Sequence, residues 1–487
     1  MANCWRLRPS HFPKSLRTNS SIRWCPPFIR HSFIEERTRT LSSNWLAGSS
    51  RSLQTKVVSP SESPPPEELY HPTHDSDIVE GYRPGGYHPT TIGDMFRDGR
   101  YKIVHKLGFS GSSAIWLARD RLLQRFVSLK IQVANAFRNS NEGNILRLLQ
   151  NGNSSHPGKQ FVPALLDQFT FEGPNGQHLC LVGVPHGYVS ASREISVDDM
   201  FPIDAARSIA AQLAMGLVYL HECGICHGDL NVSNFLLRIP NIDSMTTAEL
   251  YDRFGRPDES PVCRLDEKAP EPHAPSHVIS PMMPFLPSNE IFEPEIVISE
   301  YEGTSFLTSQ TPPPKCLTPD APPELFFQEP MTPAADVWTL GVNLYDVLGD
   351  RPLFETVTPD RDTIIGEMIS TLGRPPERWW SSWADRPELF AQNEEWRTDF
   401  LRICTPVSRR LRQRLWNMGR GKTPETCKWD VAGGEFQDLE DLLRDMMTFE
   451  PADRLTPKQV LASKYMVKWA LPAWQRQVER KAERVTR

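Results

Sequence analysis

The sequence predicts an α+β fold in two lobes, with a small β-rich N-terminal lobe that carries one main helix and a larger, mostly helical C-terminal lobe. The chain has 487 residues, which is more than one small hydrophobic core accommodates and indicates either one large two-lobed unit or two to three modules. Residues 101–133 read as short β-rich segments separated by turns. After residue 200 the apolar residues recur at helical spacing.

The N-terminal lobe begins with the stretch "YKIVHKLGFSGSSAIWLARDRLLQRFVSLKIQV" (101–133). A Gly/Ser turn and a charged turn divide it, so we expect three antiparallel strands. Residues 141–150 have apolar residues at helical spacing, which predicts the lobe's one main helix. The apolar run 178–184 predicts a further strand that ends before Pro185.

The C-terminal lobe opens with a predicted helix over 202–222, for which Asp204 is a plausible N-cap and Gly224 a stop signal. Its apolar stripe has the spacing of a buried helix face. The same reasoning predicts further helices at 333–348, 360–372, 436–447 and 457–470.

Three segments lie outside this pattern. Residues 1–80 are basic and then Pro/Ser-rich, and we expect a disordered extension, since they offer little apolar surface to bury. No acid precedes Glu35, a composition typical both of a mitochondrial transit segment and of a disordered basic arm. Residues 239–294 are rich in Pro and acid and predict a surface insertion, and 476–487 form a basic C-terminal tail.

Composition excludes several classes of protein. The net charge is −6, so nothing indicates general binding to nucleic acid. No apolar run reaches the roughly 18 residues that a membrane span requires. Nine irregularly spaced cysteines indicate a reducing compartment rather than a disulfide framework. We expect a monomer in the cytoplasm, the nucleus or both, with no direct nucleic-acid partner and no membrane partner.

Two short stretches contain residues suited to holding phosphate. "LGFSGSSAIWLA" (107–118) has small residues where backbone amides could approach phosphate, with Gly108, Ser110 and Gly111 as candidates, although a plain hairpin turn has the same composition. Lys130 is the lone cation of an apolar strand and would need an anionic partner if buried, for which Glu142 is the candidate. The alternatives are a lysine that reaches solvent at a sheet edge and a solvated helix acid.

A third stretch, "HGDLNVSN" (227–234), places the carboxylate of Asp229 five residues before the amide of Asn234. The preceding "CGICH" (223–227) matches a haem-attachment pattern. It ends a predicted helix, however, and His227 belongs to the loop itself, so we interpret it as structural.

In order along the chain, "GFSGSSAI", "VSLK", "HGDLNVSN", "ISEYEGTS", "APPE", "DVWTLGV" and "PADRLT" follow the signature set of protein kinases. The chain resembles eukaryotic protein kinases and is most similar to the fungal SRPK-like (SR-protein kinase-like) serine/threonine kinases, over about 95–475. The resemblance implies a protein-kinase-like fold with the N-lobe and hinge at 95–187 and the C-lobe at 188–475.

The resemblance also implies roles for single residues. Gly108, Ser110 and Gly111 would approach the phosphates of ATP, and Lys130 would hold the α- and β-phosphates while Glu142 holds Lys130. Asp229 would accept the proton of the attacking hydroxyl, and Asn234 and Glu300 would bind Mg²⁺. Two roles would be structural, with Glu324 pairing with Arg454 and Asp336 capping the catalytic-loop backbone.

Several positions depart from the family pattern. Asn231 stands where the family has a lysine, and Gly228 replaces the arginine of H-R-D. Glu300 replaces the metal-binding aspartate of D-F-G, and Glu302 looks like a one-residue insertion after Tyr301. Because Mg²⁺ requires tight octahedral geometry, the longer Glu300 side chain bears directly on activity.

Three functions fit this pattern. The first is an ATP-dependent serine/threonine protein kinase that acts on protein hydroxyls, with Arg/Ser-rich proteins as candidate substrates. The second is a pseudokinase scaffold, motivated by Glu300, Glu302 and Asn231. The third is a small-molecule kinase, because "HGDL…N" also resembles the loop of such enzymes. The segments "APPE", "DVWTLG" and "ADRLT" argue against this third function, since they favour a platform for protein substrates.

Overall fold

The computed structural model of the chain describes residues 69–71, 79–138, 140–189, 200–270, 272–282, 287–307, 318–356, 360–391, 409–421 and 428–486. All of them belong to one structural unit, Ser49–Arg487. Residues 1–68, and with them most of the predicted extension and its basic arm, lie outside the described residues. Near the end of that extension, Tyr70 and Val79 are buried.

A six-stranded antiparallel sheet, in the order β1-β2-β3-β4-β6-β5, occupies the N-terminal part. The strands are β1 Met95–Phe96, β2 Tyr101–Ser110, β3 Ser113–Asp120, β4 Arg125–Gln132, β5 Leu165–Gly173 and β6 Gly176–Gly183. β2, β3 and β4 are the three predicted antiparallel strands, and β6 is the strand predicted over 178–184. Ser110 pairs with Ser113 across the β2–β3 turn, so this turn is tight.

The first helix, α1 (Glu142–Asn151), packs against the sheet through Ile145, Leu146 and Leu149, which are all buried. Its first residue, Glu142, is buried as well. Because α1 begins beside β4, the carboxylate of Glu142 faces the strand that carries Lys130.

The C-terminal part is mostly helical and is built around α2 (Ile203–Glu222), whose middle residues are almost all buried. The N-cap of α2 is Pro202, and Asp204 lies in the first turn, so the prediction that Asp204 caps this helix was wrong. An acid in the first turn still interacts favourably with the helix dipole. The described helices that follow are α3 Thr247–Phe254, α4 Pro323–Phe326, α5 Ala334–Leu348, α6 Arg361–Leu372, α7 Glu377–Ser382, α8 Arg386–Leu389, α9 Leu411–Asn417, α10 Glu435–Met446, α11 Pro457–Leu461 and α12 Leu471–Thr486.

These bounds match the predicted helices closely, except that the last is interrupted: α11 ends at Leu461, and a π-helical turn at Met466–Ala470 leads into α12. Residues 476–486, set apart as a basic tail in the sequence, continue α12. No helix in the described ranges is long and apolar enough to cross a membrane.

Two small sheets organise the region between α2 and α5. β8 (Ile225–Cys226) pairs with β13 (Ser305–Phe306), and β9 (Phe235–Arg238) lies between β7 (His186–Tyr188) and β12 (Ile296–Ile298). The loop 227–234 connects β8 to β9, and residues 299–304 connect β12 to β13. The two pairings therefore bring these connections together.

The insertion 239–294 folds back onto the N-terminal sheet. It contains α3 and a hairpin of β10 (Glu259–Pro261) and β11 (His277–Ile279). Buried aliphatic residues of the insertion pack against β2, β3 and β4, and the Tyr251 hydroxyl donates to the Val104 carbonyl at 2.8 Å. The insertion leaves the helical part after β9, packs against the N-terminal sheet and returns to the helical part at β12.

Candidate functional site

The loop 227–234 is held by the buried carboxylate of Asp336 in α5. Asp336 accepts hydrogen bonds from the backbone N–H of His227 and of Gly228, each at 2.8 Å, and from the His221 ring at 2.9 Å. Burial by itself raises the pKa of Asp336, but its bond to His221 and the other donors outweigh this and lower it. Asp336 lies where the resemblance placed it, beneath the loop backbone.

His227 and Gly228 show why the loop has this sequence. The Nε2–H of His227 donates to the Ser299 carbonyl at 2.8 Å, and its Nδ1 accepts from the Asp229 N–H at 3.3 Å, so one neutral tautomer satisfies both ring nitrogens. The buried ring is thus a structural support rather than a haem ligand. Gly228 has φ of 81°, which an arginine would adopt only with strain.

Asp229 is exposed and its carboxylate is oriented by two asparagine amides. Asn231 Nδ2 donates to Asp229 Oδ1 at 2.7 Å, and Asn234 Nδ2 donates to Asp229 Oδ2 at 3.0 Å. The side-chain oxygen of Asn234 accepts no hydrogen bond from the residues that the structure describes, and amide oxygens are suitable ligands for Mg²⁺. Asn231 supplies orientation to Asp229 but no positive charge.

Lys130 lies between two carboxylates. Its Nζ is 2.8 Å from Glu142 Oε2 and 2.9 Å from Glu300 Oε2, and all three side chains are at most about a fifth exposed. Burial lowers the pKa of Lys130, but the two carboxylates outweigh it and raise that pKa, so the ammonium stays charged. Burial raises the pKa of Glu142, and the negative charge of Glu300 raises it further, which together outweigh the opposite effect of Lys130.

Glu300 follows β12 and adopts φ of 66°, a left-handed conformation unusual for a residue with a side chain. This conformation turns its carboxylate toward Lys130 rather than outward. The next residue, Tyr301, is buried beside the His227 ring and donates its hydroxyl to the Ile298 carbonyl at 2.8 Å. Backbone strain of order 1–3 kcal/mol persists only where the surroundings enforce it, as these contacts do.

The β2–β3 turn covers the same cleft. Ser110 Oγ is 3.0 Å from Ser113 Oγ, and Ser112 Oγ donates a short hydrogen bond to the carboxylate of Glu302. Gly111 at the tip is exposed with open space around its Cα. At Gly108 a Cβ atom would lie 2.6 Å from the Tyr188 hydroxyl, so only glycine fits there.

A cavity lies between the sheet and the helical part, and Asp229 and Asn234 are not among the residues that line it. Lys130, Glu142 and Glu300 lie at its polar end. Its other walls are mainly aliphatic and are supplied by Leu107, Ile115, Leu181, Val182, Val184 and Leu236. An apolar slot that ends at a cation and carboxylates fits an adenine ring followed by magnesium-bound phosphates.

The structure thus brings Lys130, Glu142 and Glu300 into direct contact and places Asp229 against Asn234. Ser299 links the two groups, because its N–H donates to the Asn234 carbonyl at 2.9 Å and its neighbour is Glu300. Gly108, Ser110 and Gly111 lie on the β2–β3 side of the same cleft. Sequence reasoning missed Ser112, whose signal would have been a hydroxyl beside Gly111. It also missed Asn343 of α5, which accepts a hydrogen bond from the Val232 N–H of the loop at 2.8 Å and whose signal would have been a polar residue in a mostly apolar helix.

One further prediction concerns a support around the site. Glu324 and Arg454 form the expected pair, which is fully buried and has two N···O contacts, at 2.5 and 2.8 Å. Three tryptophans are also buried in the helical part: Trp379, Trp380 and Trp383.

Several known protein kinases are similar in sequence to this chain. No protein-family model matches the chain. The chain is 40% identical to protein kinase dsk1 of Schizosaccharomyces pombe over 172 residues, and this alignment covers 34% of this chain and 31% of dsk1. It is 28% identical to the serine/threonine-protein kinase SRPK of Physarum polycephalum over 419 residues, and that alignment covers 80% of this chain and 91% of the relative.

Human SRSF protein kinase 3 is 36% identical over 168 residues, 34% of this chain and 30% of that protein. The aligned stretches therefore span less than a third of the dsk1 and human proteins, whereas the Physarum alignment spans nearly all of that relative.

Proposed function

We propose that this chain, an SRPK-like member of the serine/threonine protein kinases, transfers the γ-phosphate of ATP to hydroxyl groups of protein substrates. The observation that carries the proposal is the contact of Lys130 with both Glu142 and Glu300 at the polar end of an apolar slot. In this arrangement the sheet and α1 act as an N-lobe and the helical part as a C-lobe.

Each residue then has a defined task. Lys130 binds the α- and β-phosphates, and Glu142 keeps it oriented. Asp229 orients the substrate hydroxyl and accepts its proton while the hydroxyl oxygen bonds to the γ-phosphorus, the bond from that phosphorus to the β–γ bridging oxygen breaks and ADP leaves. Gly108, Ser110 and Gly111 keep the β2–β3 turn close above the phosphates.

The donor set fits Mg²⁺, because the Asn234 amide oxygen and the Glu300 carboxylate are oxygen ligands on adjoining segments. When bound, Mg²⁺ neutralises charge on the β- and γ-phosphates. Glu300 is held by Lys130 through one oxygen, Oε2, and no contact with a described residue engages its other oxygen.

The substrate class follows from the relatives rather than from the cleft. We propose Arg/Ser-rich proteins, in line with the resemblance to SRPK-like kinases. The segment 318–326 would form the platform beside Asp229, anchored by the pair of Glu324 with Arg454.

The pseudokinase alternative is not favoured, since the matching relatives are named as kinases and Glu300 points into the cleft. The test is transfer of labelled phosphate from ATP to an Arg/Ser-rich protein by the wild-type chain and by Asp229→Asn. We expect transfer by the wild type, a loss of at least about 100-fold in Asp229→Asn, and no loss in the control Asp453→Asn, an exposed acid. Equal transfer by wild type and Asp229→Asn would falsify the proposal.

Nucleotide binding is tested separately by thermal unfolding with and without MgATP. A ligand that binds the native state raises its stability, so MgATP should raise the unfolding temperature. Absence of any rise would leave only the scaffold.

A further inference from the structure

Asn343 is a buried amide on a helix whose buried residues are mostly apolar. It lies in α5 between Val342 and Leu344, and only 4% of its surface is exposed. A buried amide destabilises a fold unless its donors and acceptor are bonded. Its partners therefore indicate its purpose.

Those partners belong mainly to the catalytic loop. Asn343 Oδ1 accepts a hydrogen bond from the Val232 N–H at 2.8 Å, and Nδ2 donates to the Thr339 carbonyl at 2.8 Å and more weakly to the Leu230 carbonyl at 3.4 Å. Leu230 and Val232 flank Asn231, on the stretch between Asp229 and Asn234. Asn343 therefore forms hydrogen bonds with the loop backbone just after Asp229.

Asp336 forms hydrogen bonds with the same loop just before Asp229. Residues 336 and 343 are seven positions apart in α5, which places them on one face of the helix about 10.5 Å apart along its axis. Asp336 binds the N–H groups of residues 227 and 228, and Asn343 binds residues 230 and 232. A single buried helix thus fixes the loop on both sides of Asp229.

Asn343 also touches the segment expected to face the protein substrate. Its Nδ2 lies 3.4 Å from Asp320 Oδ2, four residues before Glu324, whose buried pair with Arg454 anchors α4. Burial raises the pKa of Asp320, and the negative charge of Asp229 raises it further. The loop and the substrate-side segment therefore meet at one amide.

We propose that Asn343 is a positioning residue for phosphoryl transfer, which fixes the Asp229 carboxylate relative to the substrate-side segment through Val232, Leu230 and Asp320. The inference rests on the proposed kinase function. A misplacement of about 1 Å at a reacting group costs up to about 100-fold in rate, so a residue that touches neither ATP nor the hydroxyl can still control kcat.

The test is Asn343→Leu, which keeps the side-chain size and removes every hydrogen bond. We expect kcat to fall about 10- to 100-fold, with the Kd for ATP changed by less than about 2-fold, because Lys130, Glu142 and the β2–β3 turn are untouched. Hydrogen exchange of the amides of residues 229–234 should become faster. The matched control is Asn175→Leu, a buried asparagine that bonds backbone carbonyls far from Asp229 and should leave both readouts unchanged.

A second variant, Asp320→Asn, alters the half-buried partner without emptying the core, so it is expected to fold even if Asn343→Leu does not. We expect a several-fold lower kcat at unchanged ATP affinity, and no further loss in the double variant relative to Asn343→Leu. Wild-type kcat in Asn343→Leu or in Asp320→Asn, or an equal loss in Asn175→Leu, would overturn the inference. A wild-type chain that transfers no phosphate would instead overturn the proposed function.

Discussion

The hydrogen bond between Ser112 and Glu302 should restrict entry to the cleft that we propose binds ATP. It joins the tip of the β2–β3 turn to the segment after β12, and in the proposed function the β- and γ-phosphates of ATP would enter between them. A hydrogen bond to a charged group contributes about 1.5–3 kcal/mol, and partial exposure of both side chains reduces this to about 1 kcal/mol here. ATP must break this contact, so the bond raises the apparent Kd for ATP about five-fold.

The perturbation is Ser112→Ala, which removes the donor without changing charge. We expect the Kd for MgATP, measured by calorimetry with a non-hydrolysable analogue, to fall about five-fold. Glu302→Gln should lower it as well, because it replaces the charged acceptor of this hydrogen bond with a weaker neutral one and removes a negative charge beside the triphosphate, and the effects of the two substitutions should not add fully in the double variant. Glu172→Gln, an exposed acid on β5, is the control for charge alone. An unchanged or higher Kd in Ser112→Ala would refute the reasoning.

Three more outcomes are expected. Glu300→Gln should lower kcat by about 100-fold or more. The kcat of Glu300→Asp should stay within about ten-fold of the wild-type value, since aspartate keeps the carboxylate and tolerates the left-handed backbone better. Initial rates measured over a Mg²⁺ titration test both expectations, and full activity of Glu300→Gln would contradict the metal role. Burial lowers the pKa of His88 to about 4, so between about pH 6.5 and 4 the unfolded chain binds a proton that the native chain does not. His88 should therefore reduce the free energy of unfolding by about 2 kcal/mol between about pH 7.5 and about pH 5, and His186, whose pKa burial also lowers to about 4, should add to this loss. Urea unfolding at these two pH values should show a smaller loss for His88→Phe, whose ring would lie among Phe96 and Phe171, than for the wild type. Arg454→Met should lower the free energy of unfolding by about 3–5 kcal/mol, because it leaves the buried carboxylate of Glu324 unpaired. The double variant Glu324→Gln/Arg454→Met should recover much of this loss. Equal unfolding free energies of the single and double variants would show that the loss does not come from the buried charge.

The sequence predicted the elements of the fold well because their signals are local. The helix periods of α5, α6 and α10 are strong, and each is found within about a residue or two of its expected bounds. The cap of α2 was misplaced because Asp204 is a good capping residue by type, whereas the backbone at Pro202 already has the extended conformation of an N-cap. The π-helical turn after Tyr465 has no comparable sequence signal.

The path of the insertion could not be predicted from its sequence. Residues 239–294 have weak periodicity, yet Ile242, Leu250 and Met282 are buried against the sheet. Their partners, among them Val104 and Leu117, lie more than a hundred residues earlier, and such pairings leave no pattern in a single sequence. The contact of Ser112 with Glu302 and that of Asn343 with Val232 were missed for the same reason.

The residues that depart from the kinase pattern each form an ion pair or a hydrogen bond with a neighbouring residue. Glu300 is paired with Lys130, and Asn231 bonds both Asp229 and the Ser233 N–H. Gly228 adopts the positive φ that lets its N–H reach Asp336. A site that had merely lost its residues would be expected to hold buried charges without partners, which cost several kcal/mol each. The altered groups instead form a bonded set around Asp229 and Lys130, which is the arrangement expected of a cleft that still binds a nucleotide.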